Sequence, residues 1–289
     1  MSITASMVKE LRERTGLGMM ECKKALEETD GNMELAIEEL RKKSALKAAK
    51  KASRTTADGL LAVRIAEDGK RAALVEVNIE TDFAAKNEKF IGFVGDVLAE
   101  VFASGVTDTA ALMAGALGAR REQLVQEIGE NISVRRAACF ETADGVIATY
   151  LHGDNRKGAL VELSAGDLAL GRDVAMHVTA IAPMVVRGDD VPADVLEKER
   201  EIYTAQAAES GKPAEIVAKM VEGRVRKYLA EVSLLDQPFV KDPNMTVAKL
   251  LAGAGATCRR FVRFEVGEGI EVEKADFAAE VAAQVQASR

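Results

Sequence analysis

Tryptophan is absent from this chain, histidine occurs twice and cysteine three times in 289 residues. Cys22, Cys139 and Cys258 lie more than 100 residues apart, and none belongs to a Cys-x-x-Cys pair. So sparse and odd a set argues against a disulfide framework and a zinc site, and it predicts buried free thiols. There is no Gly-x-Ser-x-Gly, no Walker A sequence and no Gly-x-Gly-x-x-Gly after a strand. Gly16-x-Gly18 lacks the third glycine. Asp167 and Asp189-Asp190 are isolated turn acids, so no metal or cofactor site and no catalytic residue is assigned. No apolar run approaches the roughly 20 residues of a membrane span. The first residues, Met1 to Ser6, do not read as a secretory signal, and the expected compartment is the cytoplasm.

The net charge is −7, which argues against a strongly basic nucleic-acid binder. The charge is uneven, +3 over residues 1–56 and −10 over the rest. Arg41, Lys42, Lys43, Lys47, Lys50, Lys51 and Arg54 form a basic stretch rich in helix formers. It reads as a solvated helical linker in preference to an RNA-binding patch.

The length suggests two or three domains. Residues 1–56 read as three short helices and a linker. Thr4 caps the first, with Ile3 and Val8 placed as a hydrophobic staple, and Gly16 stops it. The second carries Met19, Cys22, Ala25 and Leu26 at helical spacing, and Asn32 caps the third. Met20 lies off the apolar stripe. A contact surface and packing from another direction suit it equally.

From Asp58 the pattern turns to strands. Leu60–Ile65 and Ala73–Val77 flank the turn at Glu67–Lys70. The unit recurs 86 residues on, where Asp144-Gly145 leads through Gly153-Asp154-Asn155 to Ala159-Leu160-Val161-Glu162. An internal duplication follows, two hairpins each trailed by a helix, Asn87–Phe102 and Asp173–Ile181. Ala110–Glu130 reads as one helix, followed by a strand from Ile132. The fold class is α+β, an antiparallel sheet core with helices on one side. After Pro192, helices at about 193–209 and 213–229 form a projecting antiparallel coiled coil, with Val195, Ile202 and Tyr203 facing Ile216, Met220, Val221 and Val225. A strand at Arg260–Val266 and a last helix, Lys274–Gln284, close the chain. The expected units are 1–56, the core first half at 57–143, the second half at 144–190 and 231–266, the coiled coil at 191–230 and a C-terminal module at 267–289.

His177 lies in an apolar run and reads as a packed core histidine. His152, before Gly153, is a surface turn residue or an interface contact, at even weight. The most informative segment is Thr81-Asp82-Phe83-Ala84, between a strand and a helix. Thr81 or Asp82 can cap that helix. Aromatics make up only 4% of the chain, and Phe83 stands at a polar corner while Phe90 and Phe93 already supply the helix's apolar face. Core burial and an exposed anchor fit its spacing equally well.

The residues then become recognisable as a set. Val8 to Gly16, Gly18 to Leu26, Asn78-Ile79-Glu80-Thr81-Asp82-Phe83, Ile128-Gly129-Glu130-Asn131, the surroundings of His177, Pro238-Phe239-Val240 and Arg263 to Gly269 together resemble the bacterial translation elongation factor Ts family, in order and along the whole chain. Ala84 stands where many members have valine, and Ile79 where many have cysteine. The resemblance implies a guanine-nucleotide exchange factor whose partner is the GTPase elongation factor Tu, with no direct nucleic-acid or membrane contact. It also implies an N-terminal domain resembling a ubiquitin-associated (UBA) module. By the same analogy Arg12, Met19 and Met20 rest on a helix of the GTPase domain. Thr81, Asp82, Phe83 and Ala84 press toward its magnesium and phosphate site. Ile128, Gly129, Glu130, Asn131 and His152 line the facing surface, and the second core half touches a more distant partner domain. Two other functions compete with this one, an adaptor or scaffold without catalysis, and a hydrolase or transferase pairing Asp82 with His152.

Overall fold

The computed structural model describes residues 3–209 and 213–271. Three helices open the chain, α1 (Ala5–Thr15), α2 (Met19–Glu28) and α3 (Met33–Lys51). Thr4 and Asn32 cap α1 and α3 through their side chains, as their residue types predict. Gly16 ends α1 at φ +71°, a left-handed conformation that costs glycine least. Val8, Leu11, Leu17, Cys22, Leu26, Ala36 and Leu40 close a small core of their own, with Ile3 packed on its edge.

The first half of the main core follows as β1 (Asp58–Ile65), β2 (Arg71–Ile79), α4 (Asp82–Ala85), α5 (Glu88–Ser104), α6 (Thr109–Met113), α7 (Ala116–Ile128) and β3 (Ile132–Glu141). The strands make an antiparallel sheet in the order β1-β2-β3. One face of β2, Val75, Val77 and Ile79, packs on Phe90, Phe93, Val97 and Val101 of α5 and on Leu124 and Val125 of α7. The helix expected over 110–130 is two helices. The chain breaks at Ala114-Gly115, and Gly118 permits the path, because a Cβ there would lie 2.0 Å from the Met113 carbonyl oxygen.

The basic stretch is helical, but it is not a free linker. Residues 41–51 belong to the 19-residue α3. Ser44 and Ala48 are buried, Ser44 bonds Gln126 of α7, and Lys43 and Lys47 pair with Glu28 and Glu21 of α2. The third helix is thus not short, and it straps the N-terminal helices to the core.

The second half contains β4 (Val146–Leu151), β5 (Lys157–Leu163), α8 (Leu168–Ile181), α9 (Ala193–Ala208), α10 (Ala214–Val232), β6 (Pro238–Phe239), β7 (Asp242–Thr246), α11 (Val247–Gly253) and β8 (Cys258–Glu265). Its sheet runs β4-β5-β8, again antiparallel. α8 begins five residues before the sequence expectation because Asp167 caps it. β7 and α11, too short for a periodic signal, were not anticipated.

The two halves repeat in structure as well as in sequence. Glu76 of β2 and Glu162 of β5 sit 86 residues apart, each opposite an arginine, Arg136 and Arg260, with the register slipping just after each glutamate. The contacts between halves are reciprocal. Arg136 stacks on Phe264 and Arg260 on Phe140, at 4.3 and 4.1 Å. The Leu61 N–H donates to the Asn155 carbonyl, and the Ile147 N–H to the Gly69 carbonyl, both at 2.8 Å. Leu61, Leu74, Phe140, Ile147, Leu160 and Phe264 fill the seam.

α9 and α10 lie antiparallel, with Leu196, Tyr203 and Ala207 against Val217, Val221, Val225 and Leu229. This corrects the expected facing set, because Ile202 and Ile216 are on the outside. The helix expected at Lys274–Gln284 lies outside the described residues. Among the described residues, no helix is long and apolar enough to cross a membrane.

Candidate partner-binding corner

β2 ends at Ile79, and the chain turns through Glu80 into α4. Thr81 caps this helix, its Oγ1 accepting the Ala84 N–H at 3.2 Å. Asp82 therefore stands at the first helical position and is not the cap. Its carboxylate accepts Lys86 Nζ at 2.9 Å one turn on. That hydrogen bond and the ammonium's charge hold the Asp82 carboxyl below the usual carboxylate range. α4 stops at Lys86. Asn87 starts a separate helix by capping α5, its Oδ1 accepting the Lys89 N–H at 2.9 Å.

This double start is what exposes the aromatic. A single helix continuing from Thr81 would carry Phe83 and the apolar face of α5 in one periodic register. Broken at Lys86-Asn87, α4 buries Ala84 and Ala85 in the core and leaves Phe83 81% exposed. The Lys86 ammonium lies 5.5 Å from the Phe83 ring centroid, so one lysine touches both tip residues. Ala84 is part of the tip in sequence, but its side chain supports the corner from below.

Residues 128–131 lie at the base of the corner. Gly129 takes the left-handed conformation that ends α7, at φ +89°. Glu130 accepts two hydrogen bonds from Thr81, from its N–H at 3.0 Å and from its hydroxyl at 2.8 Å. Glu80 in turn accepts the Asn131 N–H at 2.6 Å. Asn131 is buried, its amide donating to the Arg54 carbonyl at 3.0 Å, so it acts inside the chain and offers little outer surface. Ile128 and Gly129 are half-buried. Lys51 bonds the Gly129 carbonyl, and Arg54 lies 3.4 Å from Glu80, so the end of α3 joins the same cluster.

His152 is exposed in the β4–β5 turn. That turn carries Arg156, which pairs with Asp58 at 2.7 Å, and Asp58 lies opposite Ile79 on the sheet. The turn is thus beside the strand end that leads into the corner. His177, by contrast, is fully buried. Val240 N–H donates to its Nδ1 at 3.1 Å, so the imidazole hydrogen resides on Nε2 and donates to Gln237 at 2.9 Å.

The N-terminal candidates are at the surface. Met20 is 76% and Met19 42% exposed, and Arg12 is exposed as well. Met19 shares the apolar spacing of Cys22 and Leu26 but stays outside, because it is the first residue of α2. The end of α1 meets the core near the corner. Gln123 donates to the Thr15 carbonyl at 2.5 Å, and a cleft of about 340 Å³ between them is lined by Gly16, Lys89 and Gln123. Lys86 and Glu80 were not singled out from sequence. The i,i+4 spacing of Asp82 and Lys86 was the available signal for the first, and no local signal existed for the second. Among the described residues, no cluster of three His, Cys, Asp or Glu side chains is placed to hold a metal.

Fold and corner together define a class, a duplicated α+β core in which one of two equivalent strand-to-helix corners projects an acid and an aromatic. The family model described as elongation factor TS matches residues 80–268. Elongation factor Ts of Saccharophagus degradans is 58% identical over 289 residues, covering 100% of both chains. That of Hahella chejuensis is 58% identical over 285 residues, 99% of each chain, and that of Methylococcus capsulatus 56% over 294, 100% of each. The chain belongs to the elongation factor Ts family, the guanine-nucleotide exchange factors of elongation factor Tu in translation elongation.

Proposed function

We propose that this chain releases GDP from elongation factor Tu by pressing Phe83, flanked by Asp82, against the groups that hold magnesium and the phosphates. The observation that carries this reading is an 81% exposed phenyl ring on a corner braced by its neighbours. GDP is held by phosphate-loop N–H groups and by Mg²⁺. Nanomolar binding corresponds to about −12 kcal/mol, so unaided release is slow. A protein that binds the empty GTPase better than the loaded one weakens GDP binding by the same factor. A ring wedged between partner helices displaces the metal-holding groups and leaves the phosphate charge less compensated. GTP binding then expels the factor through the same coupling.

The chain does no covalent chemistry, needs no cofactor and acts in the cytoplasm. Its contact surface combines Arg12, Met19 and Met20 on a UBA-like three-helix unit (residues 1–56) with Asp82, Phe83, Ile128 and Gly129 on the first core half (57–143) and His152 on the adjacent turn, while Thr81, Ala84, Glu130 and Asn131 support the corner from within. The second half (144–190 and 231–266) reaches a further partner domain. Residues 191–209 and 213–230 form the projecting coiled coil, and the C-terminal module expected at 267–289 lies outside the described residues from 272 on. Release of fluorescent GDP from elongation factor Tu, followed by stopped flow with and without Mg²⁺, tests the proposal. Phe83→Ala is expected to slow stimulated release and leave the urea midpoint unchanged. Unchanged release sinks the wedge.

A further inference from the structure

We propose that Glu130 and Glu80 form a reciprocal latch that sets the position of the Asp82-Phe83 tip, and that Glu130 is a positioning residue for exchange and not a contact with the partner. The role in exchange rests on the wedge reading above, whereas the latch itself stands on bonds within the chain. The side chain of Glu80 takes the backbone N–H of Asn131, and the side chain of Glu130 takes the backbone N–H of Thr81. Two consecutive residues on one segment thus exchange side-chain-to-backbone bonds with two consecutive residues on the other. Glu130 uses its second oxygen as well, accepting the Thr81 hydroxyl at 2.8 Å. Both its oxygens are therefore engaged by one residue.

The corner needs such a brace. α4 is four residues long, and one turn of helix is not stable by itself. Phe83 is too exposed to be located by packing. The ring direction therefore depends on the backbone of Thr81 and Asp82, and the latch holds that backbone at the point where β2 ends. The latch is itself anchored, since Arg54 lies beside Glu80, Asn131 donates to the Arg54 carbonyl, and Lys51 holds Gly129. A carboxylate bond to a neutral donor is stronger than a neutral pair, which suits a hold exposed to water on one side.

Two readouts separate positioning from contact. The first is amide hydrogen exchange of the free protein. Glu130→Ala is expected to speed exchange at Thr81 by about tenfold or more, the loss of one charge-assisted hydrogen bond, and to spare β2 upstream of Ile79. Unchanged protection at Thr81 overturns the latch whatever the partner assay shows. The second is stimulated GDP release measured against factor concentration. Glu130→Ala and Glu130→Gln are expected to lower the maximal rate more than they raise the half-saturating concentration. An effect confined to half-saturation makes Glu130 a docking contact and overturns the positioning role. Phe83→Ala run in parallel keeps the two ideas apart. If that variant is fully active the wedge falls, and the hydrogen-exchange result alone judges the latch. Glu80→Gln, with the expected loss of protection at Asn131, serves if Glu130→Ala unfolds.

Discussion

Arg136 of β3 lies over the ring of Phe264 on β8, its guanidinium carbon 4.3 Å from the ring centroid, while its Nε pairs with the fully buried Glu76. One side chain therefore neutralises a buried charge in the first half and stacks on an aromatic of the second. Arg260 does the same in reverse, pairing with Glu162 at 2.7 Å and covering Phe140.

Arg136→Met is expected to destabilise the protein by about 3 kcal/mol, because a buried carboxylate loses one of its two guanidiniums. Arg260→Met should cost less, since Glu162 is 5% exposed where Glu76 is fully buried. Both variants loosen the same seam, so the double variant should fall short of the sum. Urea unfolding of the three variants measures this, and strict additivity would show that the two stacks act independently.

Burial lowers the His177 pKa, with the Gln237 hydrogen bond opposing it weakly. Protonation would also place a hydrogen on Nδ1, where the Val240 N–H already points. A folded-state pKa below the unfolded value of about 6.5 means that the unfolded chain binds the proton first. The stability is then complete above pH 6.5 and falls as the pH drops through it, by up to about 1.4 kcal/mol per pH unit. Urea midpoints between pH 7.5 and 5.5 should fall in wild type and stay flatter in His177→Gln. Parallel curves would remove His177 as the cause.

Burial pushes the Cys258 thiol up to about 12 and raises Cys139 less far. Only the thiolate is nucleophilic. Iodoacetamide at pH 8 is expected to spare Cys258 in the native protein, to modify half-buried Cys139 first, and to reach all three thiols in urea. Mass spectrometry of the time course checks the order. Modification of Cys258 at the unfolded rate would mean that β8 opens freely.

Much of this architecture was legible in the residues. The Ala-Leu-Val-Glu run repeated at a fixed offset gave two hairpins, and their last residues, Glu76 and Glu162, are the buried acids that face the paired arginines. What was hidden depended on contacts distant in sequence. Nothing local reveals that Met113 crosses Gly118, or that Lys43, Lys47 and Lys51 find partners in α2 and beyond α7. Phe83 was undecidable because an aromatic at a corner has the same spacing whether it turns in or out. The outcome hinged on a second cap, Asn87, restarting the helix four residues after the tip.

The second copy shows what the corner looks like without that restart. Asp167, 86 residues after Thr81, caps α8, which runs uninterrupted, and Ala169 stands where Phe83 would be. Among the described residues the skeleton is doubled, yet the projecting ring is not. Symmetry of backbone is thereby uncoupled from symmetry of surface, and two corners built on one plan present unlike faces to the solvent.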